Sequence, residues 1–295
     1  MIRTGQYADL GGGIRLHYAS CGVRGAPLML FLHGFPEYWG AWEDVLPSFG
    51  DGYYAVAPDL RGFNLSSQPA EVGAYRMREV VGDLERLVAI LGYDQAVVVA
   101  HDWGGAAAWS WAIAAPARIA RLVVLNSPHP IPFARDLVAR PEQQQASAYM
   151  NWLRAPGSEA ALAKDDFKLL EGFILGMQRG DAPWYTAQRA RRYREVWARG
   201  LGGGVNYYRA SPLHPPTPEA PGPAALRLDP ADFRVRVPTL VIWGDADIAL
   251  PVTLLDGMSE LIDDLTVFRL PLATHWLAHE EPERIARLIR DFCAR

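Results

Sequence analysis

The chain has 295 residues, half of them hydrophobic, which is enough for one large domain with a smaller one inserted. Its net charge of −4 argues against a nucleic-acid partner, and the basic stretch RARRYR (189–194) is spaced like the solvated face of a helix. The opening residues MIRTGQYADLGGG lack the apolar region of a secretory signal, and no apolar run approaches the ~20 residues of a membrane span.

The two cysteines, Cys21 and Cys293, lie far apart and lack the spacing of metal ligands. Both a disulfide and two free thiols fit the sequence, and free thiols in a cytoplasmic protein are the simpler interpretation. We expect no metal, no cofactor and no membrane partner. The oligomeric state stays open, with a homodimer as one option.

Short apolar runs alternate with helical patterns along most of the chain. The sequence predicts two helices in the first half, one ending at the C-cap Gly92 and one stopped by Pro116, and a closing helix at the end. These helices cover residues 77–92, 104–116 and 284–295. The predicted strands cover residues 14–20, 27–33, 53–59, 96–101, 121–126, 237–244 and 264–270.

Strands that alternate with helices predict an α/β fold with a mostly parallel sheet, covered by helices on both faces. The alternation breaks between about residues 128 and 234, where helical patterns rich in Trp and Tyr occur. We therefore predict a core formed by residues 1–128 and 235–295, with a helical cap (129–234) inserted after the sixth strand. The proline-rich stretch 211–223 is interpreted as a linker or a surface excursion.

The stretch VVVAHDWGGAAAW (97–109) joins a buried strand to a helix of small residues by a sharp turn. The residues two positions before and after the apex of such a turn must be small, as Ala100 and Gly104 are, because the two backbones nearly touch. Gly105 adds further room. The turn would raise its apex residue, Asp102, above the sheet edge as a nucleophile. The alternative is that Asp102 only caps the helix.

Residues that follow the last two predicted strands favour the interpretation of Asp102 as a nucleophile over that of a helix cap. The loop WGDADIALP (243–251) carries Asp247, and His275 follows the next strand, so the order is nucleophile, acid, histidine, as in the α/β-hydrolase fold. We choose Asp247 over Asp245, which is nearer the strand end, as the carboxylate that orients the histidine. His279 is the alternative candidate for the catalytic base, but its position beside EEPE predicts a surface side chain.

A second turn, HGFP (33–36), directly follows another strand. We expect the backbone amides of Phe35 and Trp103 to form an oxyanion hole. His33 is interpreted as a hydrogen-bonding support for the turn, and Pro36 follows either a cis or a trans peptide bond.

Together, HGFPEYWGAW, DLRGFNLSSQP, HDWGGA, the loop holding Asp247 and THW resemble the epoxide hydrolases of the α/β-hydrolase fold. The resemblance covers nearly the whole chain, is weakest from 211 to 232, and implies an eight-stranded sheet with an inserted cap. It also implies two cap tyrosines that bind the epoxide oxygen. Tyr149 and Tyr208 match their positions. Tyr207 is the rival of Tyr208, since adjacent helical residues point roughly 100° apart.

A carboxylate at the apex selects the reaction. A serine attacking a saturated carbon would form an ether that is hard to cleave, whereas Asp102 would form an ester that water can hydrolyse at its acyl carbon. The sequence thus favours epoxides or alkyl halides as substrates. The two protonated phenols favour an epoxide hydrolase. The alternatives are a haloalkane dehalogenase, in which Trp103 would bind the halide, and a non-catalytic binding protein.

The expected reaction converts an apolar epoxide to a vicinal diol. We predict that Asp102 attacks the ring, that Tyr149 and Tyr208 bind its oxygen, and that His275 activates the water that cleaves the ester. The 10 tryptophans and 12 tyrosines suggest an aromatic or bulky substrate. Four tryptophans are candidate pocket walls: Trp39, Trp152, Trp184 and Trp276.

Overall fold

The computed structural model describes residues 1–178 and 180–295, and over these residues eight strands form one sheet. The strands are β1 (Arg3–Asp9), β2 (Arg15–Cys21), β3 (Leu28–Leu32), β4 (Tyr54–Pro58), β5 (Ala96–His101), β6 (Ile119–Leu125), β7 (Thr239–Gly244) and β8 (Leu265–Leu270). Their order in the sheet is β1-β2-β4-β3-β5-β6-β7-β8. β2 is antiparallel to both β1 and β4, and the other neighbouring pairs are parallel.

Helices flank the sheet and fill the long connection between β6 and β7. The α-helices are α1 (Met77–Leu91), α2 (Asp102–Ala114), α3 (Pro130–Ala139), α4 (Pro141–Ala146), α5 (Ala148–Arg154), α6 (Ser158–Leu162), α7 (Lys164–Gly176), α8 (Ala187–Trp197), α9 (Gly202–Ala210), α10 (Leu277–Glu280) and α11 (Pro282–Cys293). Short 3₁₀ helices lie at Trp39–Trp42, Leu46–Phe49, Val72–Tyr75, Pro116–Arg118, Gly222–Ala225, Pro230–Phe233, Val252–Leu255 and Met258–Glu260.

The sheet has a buried core on each face because strand side chains alternate in direction. On one face Leu30, Val98 and Val124 pack with α1 and α2. On the other face Phe31, Val99 and Val123 pack with α11 and the 3₁₀ helices that follow β3. β5 lies inside the sheet and is buried throughout, as its uninterrupted apolar run predicts.

Helices α3 to α9 lie over the carboxyl edge of the sheet. Three hydrogen bonds connect this segment to the loops after β3, β4 and β8. They join Trp197 Nε1 to the Pro36 carbonyl (2.7 Å), the Tyr207 hydroxyl to the Arg61 carbonyl (3.0 Å), and Trp276 Nε1 to the Ile174 carbonyl (2.9 Å). Some side chains of this segment, including Tyr149 and Tyr208, therefore reach the turn after β5 (residues 100–104), which we call the elbow.

The predicted α/β-hydrolase architecture is confirmed, including the αL C-cap at Gly92, whose φ is 91°. Strand β1 was missed because of its seven residues only Ala8 is buried, so no apolar pattern marks it. The solvated face predicted for 189–194 is wrong in part. Arg189 is buried, and with Arg192 it binds Glu43 on the core.

Cys21 and Cys293 are both free thiols. Within the described residues, the helices are all too short or too polar to span a membrane.

Candidate active site

Asp102 lies at the apex of the turn between β5 and α2, with a φ of 49°. The turn needs glycines, because a Cβ on Gly104 would lie 2.4 Å from the Leu32 carbonyl oxygen and one on Gly105 would lie 2.3 Å from Ser127 Cβ. His101, not Asp102, occupies the N-cap position of α2. The Asp102 carboxylate is turned away from its own helix toward the β3 turn, so the capping interpretation is wrong.

The turn after β3 approaches this carboxylate closely. The Phe35 amide donates to Asp102 Oδ1 over 2.8 Å. A Cβ on Gly34 would lie 2.1 Å from the same oxygen, which explains the glycine. The Phe35–Pro36 peptide bond is cis. His33 supports the turn, since its ring contacts the Gly34 carbonyl (2.9 Å) and accepts from the Leu60 amide (3.1 Å).

Trp103 follows Asp102 in the first turn of α2, where backbone amides have no partner within the helix. Its amide therefore has no partner within the helix, as the predicted oxyanion hole requires. The Trp103 indole is 8% exposed and meets the Tyr208 ring edge-on at 4.9 Å.

His275 and Asp247 are adjacent and buried beside Asp102. His275 Nδ1 lies 2.7 Å from Asp247 Oδ2, and His275 Nε2 lies 3.8 Å from Asp102 Oδ2. Asp247 also accepts from Asn126 Nδ2 (2.6 Å) and from the Ala249 and Leu250 amides (2.8 and 3.0 Å). Asp245 instead pairs with Arg269 at the surface.

Electrostatics favour the charged form of the histidine in the free protein. Burial lowers the pKa of His275, but the Asp247 and Asp102 carboxylates outweigh it and raise that pKa to about 9. Burial raises the pKa of Asp247, and the charge and hydrogen bond of His275 reverse this and hold it below the usual value.

Tyr149 and Tyr208 face Asp102, and their ring centroids are 6.1 Å apart. Burial raises the pKa of both phenols above the usual range, and the Asp102 charge raises it further, so both remain protonated donors. Tyr207 points the other way, donating to the Arg61 carbonyl. Of the two adjacent tyrosines, Tyr208 is therefore the one that reaches the site.

Asp102, Tyr149 and Tyr208 separate two cavities. The larger has a volume of about 630 Å³ and is lined mostly by apolar residues of α2, α3, α5 and the segment after α9. The smaller, about 10 Å³, lies beside His275 and Trp276. Among the described residues no group of three or more His, Cys, Asp or Glu side chains could hold a metal ion.

Sequence reasoning missed part of the larger cavity wall. Ser211, Pro212 and Leu213 line it, although they open the stretch interpreted as a linker or surface excursion. His214, which follows them, is buried. The proline content of the stretch gave no sign of burial, because prolines serve surface loops and packed walls alike.

Only one of the four candidate tryptophans lines a described cavity. Trp276 lines the smaller one, while Trp152 is 40% exposed on α5. Trp39 packs on Tyr38, and Trp184 stacks on His279 at 4.2 Å. These three lie outside the two cavities that touch Asp102. The prediction that His279 lies at the surface is wrong, since it is 5% exposed.

Known proteins share this fold. The α/β-hydrolase fold family matches residues 27–282. Epoxide hydrolase 3 of Xenopus tropicalis is 34% identical over 95% of this chain and 75% of its own length. A crystal structure of Bacillus megaterium epoxide hydrolase with an inhibitor is 31% identical, with a TM-score of 0.89 over 98% of this chain and 100% of that one.

A variant of the Bacillus megaterium enzyme has also been crystallised with its product, (R)-3-[1]naphthyloxy-propane-1,2-diol. That structure is 29% identical, with a TM-score of 0.86 over 98% of this chain and 100% of that one. The chain therefore belongs to the α/β-hydrolase fold family and, within it, to the epoxide hydrolases.

Proposed function

We propose that this protein is an epoxide hydrolase that opens an apolar epoxide to a vicinal diol through an ester on Asp102. The observation that carries the proposal is the carboxylate at the apex of the elbow, faced by two protonated phenols across one apolar cavity. A carboxylate suits attack at saturated carbon, and phenols suit a leaving alkoxide, which needs a proton.

In the first half-reaction Asp102 Oδ2 attacks a ring carbon, because Oδ1 is held by the Phe35 amide. A bond forms between Oδ2 and carbon while the carbon–oxygen bond of the ring breaks. The electron pair goes to the ring oxygen, which Tyr149 and Tyr208 bind and one of them protonates. The product is an alkyl-enzyme ester whose carbonyl oxygen is Oδ1.

In the second half-reaction His275 takes a proton from water, and that water attacks Cγ of Asp102. Esterification removes the Asp102 charge, which is one of the charges that raise the pKa of His275. The imidazole therefore becomes easier to deprotonate at the moment when a base is needed. The Phe35 and Trp103 amides hold the oxyanion while the bond from Cγ to Oδ2 breaks. The leaving alkoxide takes the remaining proton of the attacking water, and the proton held by His275 returns to the tyrosinate, so the diol leaves and the free enzyme is restored.

The smaller cavity is the proposed binding position of the attacking water. It touches both Asp102 and His275, and its volume of about 10 Å³ is close to the minimum that one water occupies. The substrate would enter on the other side, from the larger cavity. Water and substrate would then reach Asp102 from different directions.

The substrate class follows from the larger cavity. Its walls include Phe133, Met150, Leu250 and the Pro212–Leu213 pair, and about 630 Å³ is within the usual size of small-molecule sites. We propose a bulky or aromatic epoxide, and the naphthyloxy diol bound to the similar Bacillus megaterium variant supports this class. We also propose that residues 129–234 form the cap, since they carry both tyrosines while the core carries Asp102, Asp247 and His275.

The test is product analysis in ¹⁸O-labelled water under single turnover, with styrene oxide, a polycyclic epoxide, 1-bromobutane and p-nitrophenyl acetate. We expect diol from the epoxides, with unlabelled oxygen delivered from Asp102 in the first turnover. Asp102→Ala should abolish turnover. Halide release without diol formation would identify a dehalogenase, and silence on every compound would favour a binding protein or a narrow substrate.

A further inference from the structure

A buried polar cluster lies beside the site and has no assigned step in the proposed chemistry, although the charge of its Glu37 is among those that raise the pKa of His275. It contains Glu37, His101, Arg189, Tyr193 and His279, each no more than 8% exposed. Charged and polar groups are rarely buried unless they are paired, so this cluster requires an explanation.

Glu37 is the centre of the cluster. Its Oε1 accepts from His279 Nε2 (2.7 Å) and from the Tyr193 hydroxyl (2.6 Å), and its Oε2 lies 3.5 Å from His101 Nδ1. Burial raises the pKa of Glu37, but His279 and His101 outweigh it and hold that pKa well below the usual value. The buried carboxylate is therefore charged, with two hydrogen-bond donors and His101 as a further polar neighbour.

These partners belong to three separate parts of the molecule. Tyr193 lies on α8, and His279 lies on α10, directly after the loop that carries His275. His101 ends β5 next to Asp102, and its Nε2 donates to the His275 carbonyl over 2.9 Å. The His101 side chain therefore lies between Glu37 and the backbone of His275, hydrogen-bonded to the backbone and 3.5 Å from the carboxylate.

The cluster continues outward to the cap surface. Arg189 on α8 donates to His279 Nδ1 (3.4 Å) and to Asp44 (2.8 Å), and it also binds Glu43. His279 therefore carries its proton on Nε2, because Nδ1 faces a donor and Nε2 faces a carboxylate. Trp184 stacks on the imidazole and fixes its plane.

We propose that the Glu37–His279 pair fixes the position of the His275 loop relative to helix α8. The pair therefore affects the rate of ester hydrolysis and not the rate of ring opening. The inference rests on the proposed function. Ring opening depends on Asp102 and the two site tyrosines, whereas hydrolysis requires His275 Nε2 to meet a water at a fixed distance. A displacement of about 1 Å in such a step costs roughly 100-fold in rate.

The test separates the two half-reactions by rapid quenching and intact-protein mass. Glu37→Gln keeps the shape and removes a charge that also raises the pKa of His275, so hydrolysis rates are compared on the high-pH plateau, where His275 is neutral in both proteins. We expect ester hydrolysis to slow by about tenfold or more, with ester accumulating, while ester formation stays near the wild-type rate. Tyr193→Phe removes only the cap hydroxyl and should slow hydrolysis by a smaller factor, about threefold.

Glu43→Gln is the matched control, because Glu43 binds Arg189 and Arg192 of α8 at the outer end of the cluster. It should leave hydrolysis near the wild-type rate. The inference would be overturned, with the proposed function left intact, by either of two results. One is equal slowing of both half-reactions in Glu37→Gln, and the other is an equally large slowing of ester hydrolysis in Glu43→Gln. If Glu37→Gln does not fold, unchanged hydrolysis in Tyr193→Phe overturns it. Absence of ester in the wild type would overturn the proposed function as well.

Discussion

The protein contains two buried aspartate–histidine pairs that look alike in isolation. His275 Nδ1 lies 2.7 Å from Asp247 Oδ2, and His17 Nδ1 lies 2.6 Å from Asp59 Oδ2. The His17 pair lies between β2 and the end of β4, away from the elbow. All four side chains are at most 5% exposed.

The pairs differ in what the second ring nitrogen meets. His17 Nε2 accepts from the Gly5 amide (3.2 Å), so both of its nitrogens are occupied. His275 Nε2 lies 3.8 Å from Asp102 Oδ2, beyond hydrogen-bonding distance, and faces the smaller cavity. A buried Asp–His pair is therefore a candidate for catalysis only when its outer nitrogen is free to meet a reactant.

The sharpest test of this comparison is the same substitution in both histidines. His275→Gln should slow ester hydrolysis by about 10³-fold or more, because no base remains to activate water. Ester formation should continue, so the intact protein should gain the mass of one substrate. His17→Gln, the matched control, should gain no mass. Normal turnover by His275→Gln would refute the histidine assignment.

The smaller effect concerns the orienting carboxylate. In Asp247→Asn the side-chain carbonyl keeps the hydrogen bonds from the Ala249 and Leu250 backbone amides. The side-chain NH₂ group therefore faces His275 Nδ1. The imidazole is then held in the wrong tautomer for a base, and kcat should fall by about 10²-fold or more.

The same substitution has a pH signature. Hydrolysis needs neutral His275 and so rises with pH, and in the free wild type the carboxylates raise the pKa of His275 to about 9. Without the charge and hydrogen bond of Asp247, less opposes the effect of burial, so the pKa of His275 falls. The midpoint of the hydrolysis–pH profile should move to lower pH in Asp247→Asn. A midpoint that moves to higher pH would contradict this account of the electrostatics.

The sequence was sufficient to predict the residues that meet in the core. Asp102, Asp247 and His275 each follow a strand of a parallel sheet, and parallel strands bring their carboxyl ends to one edge. Small residues around Asp102 added a steric requirement that few other turns share. The position of each side chain thus followed from local patterns and topology.

The residues of the cap segment were harder to predict, because no sheet fixes where its helices lie. Trp152 and Trp184 occur in the same aromatic-rich helical segment as residues that line the cavity. In the structure Trp152 faces solvent and Trp184 stacks on His279. The burial of His279 depends on Glu37, which lies 242 positions earlier in the chain. Sequence periodicity contains no information about a contact at that separation.

Substitution in the His17–Asp59 pair should have the smallest effect on activity but a clear effect on stability. Asp59 accepts from His17, from Asn64 Nδ2 (2.8 Å) and from the Trp39 amide (2.9 Å). In Asp59→Asn the NH₂ group would face at least one of these donors, and a buried unpaired donor costs about 1–3 kcal/mol of unfolding free energy. Urea unfolding should show that loss, while kcat per folded molecule stays close to wild type. A loss of activity as large as that of Asp247→Asn, at unchanged stability, would mean that a free outer nitrogen on the histidine is not what distinguishes the two pairs.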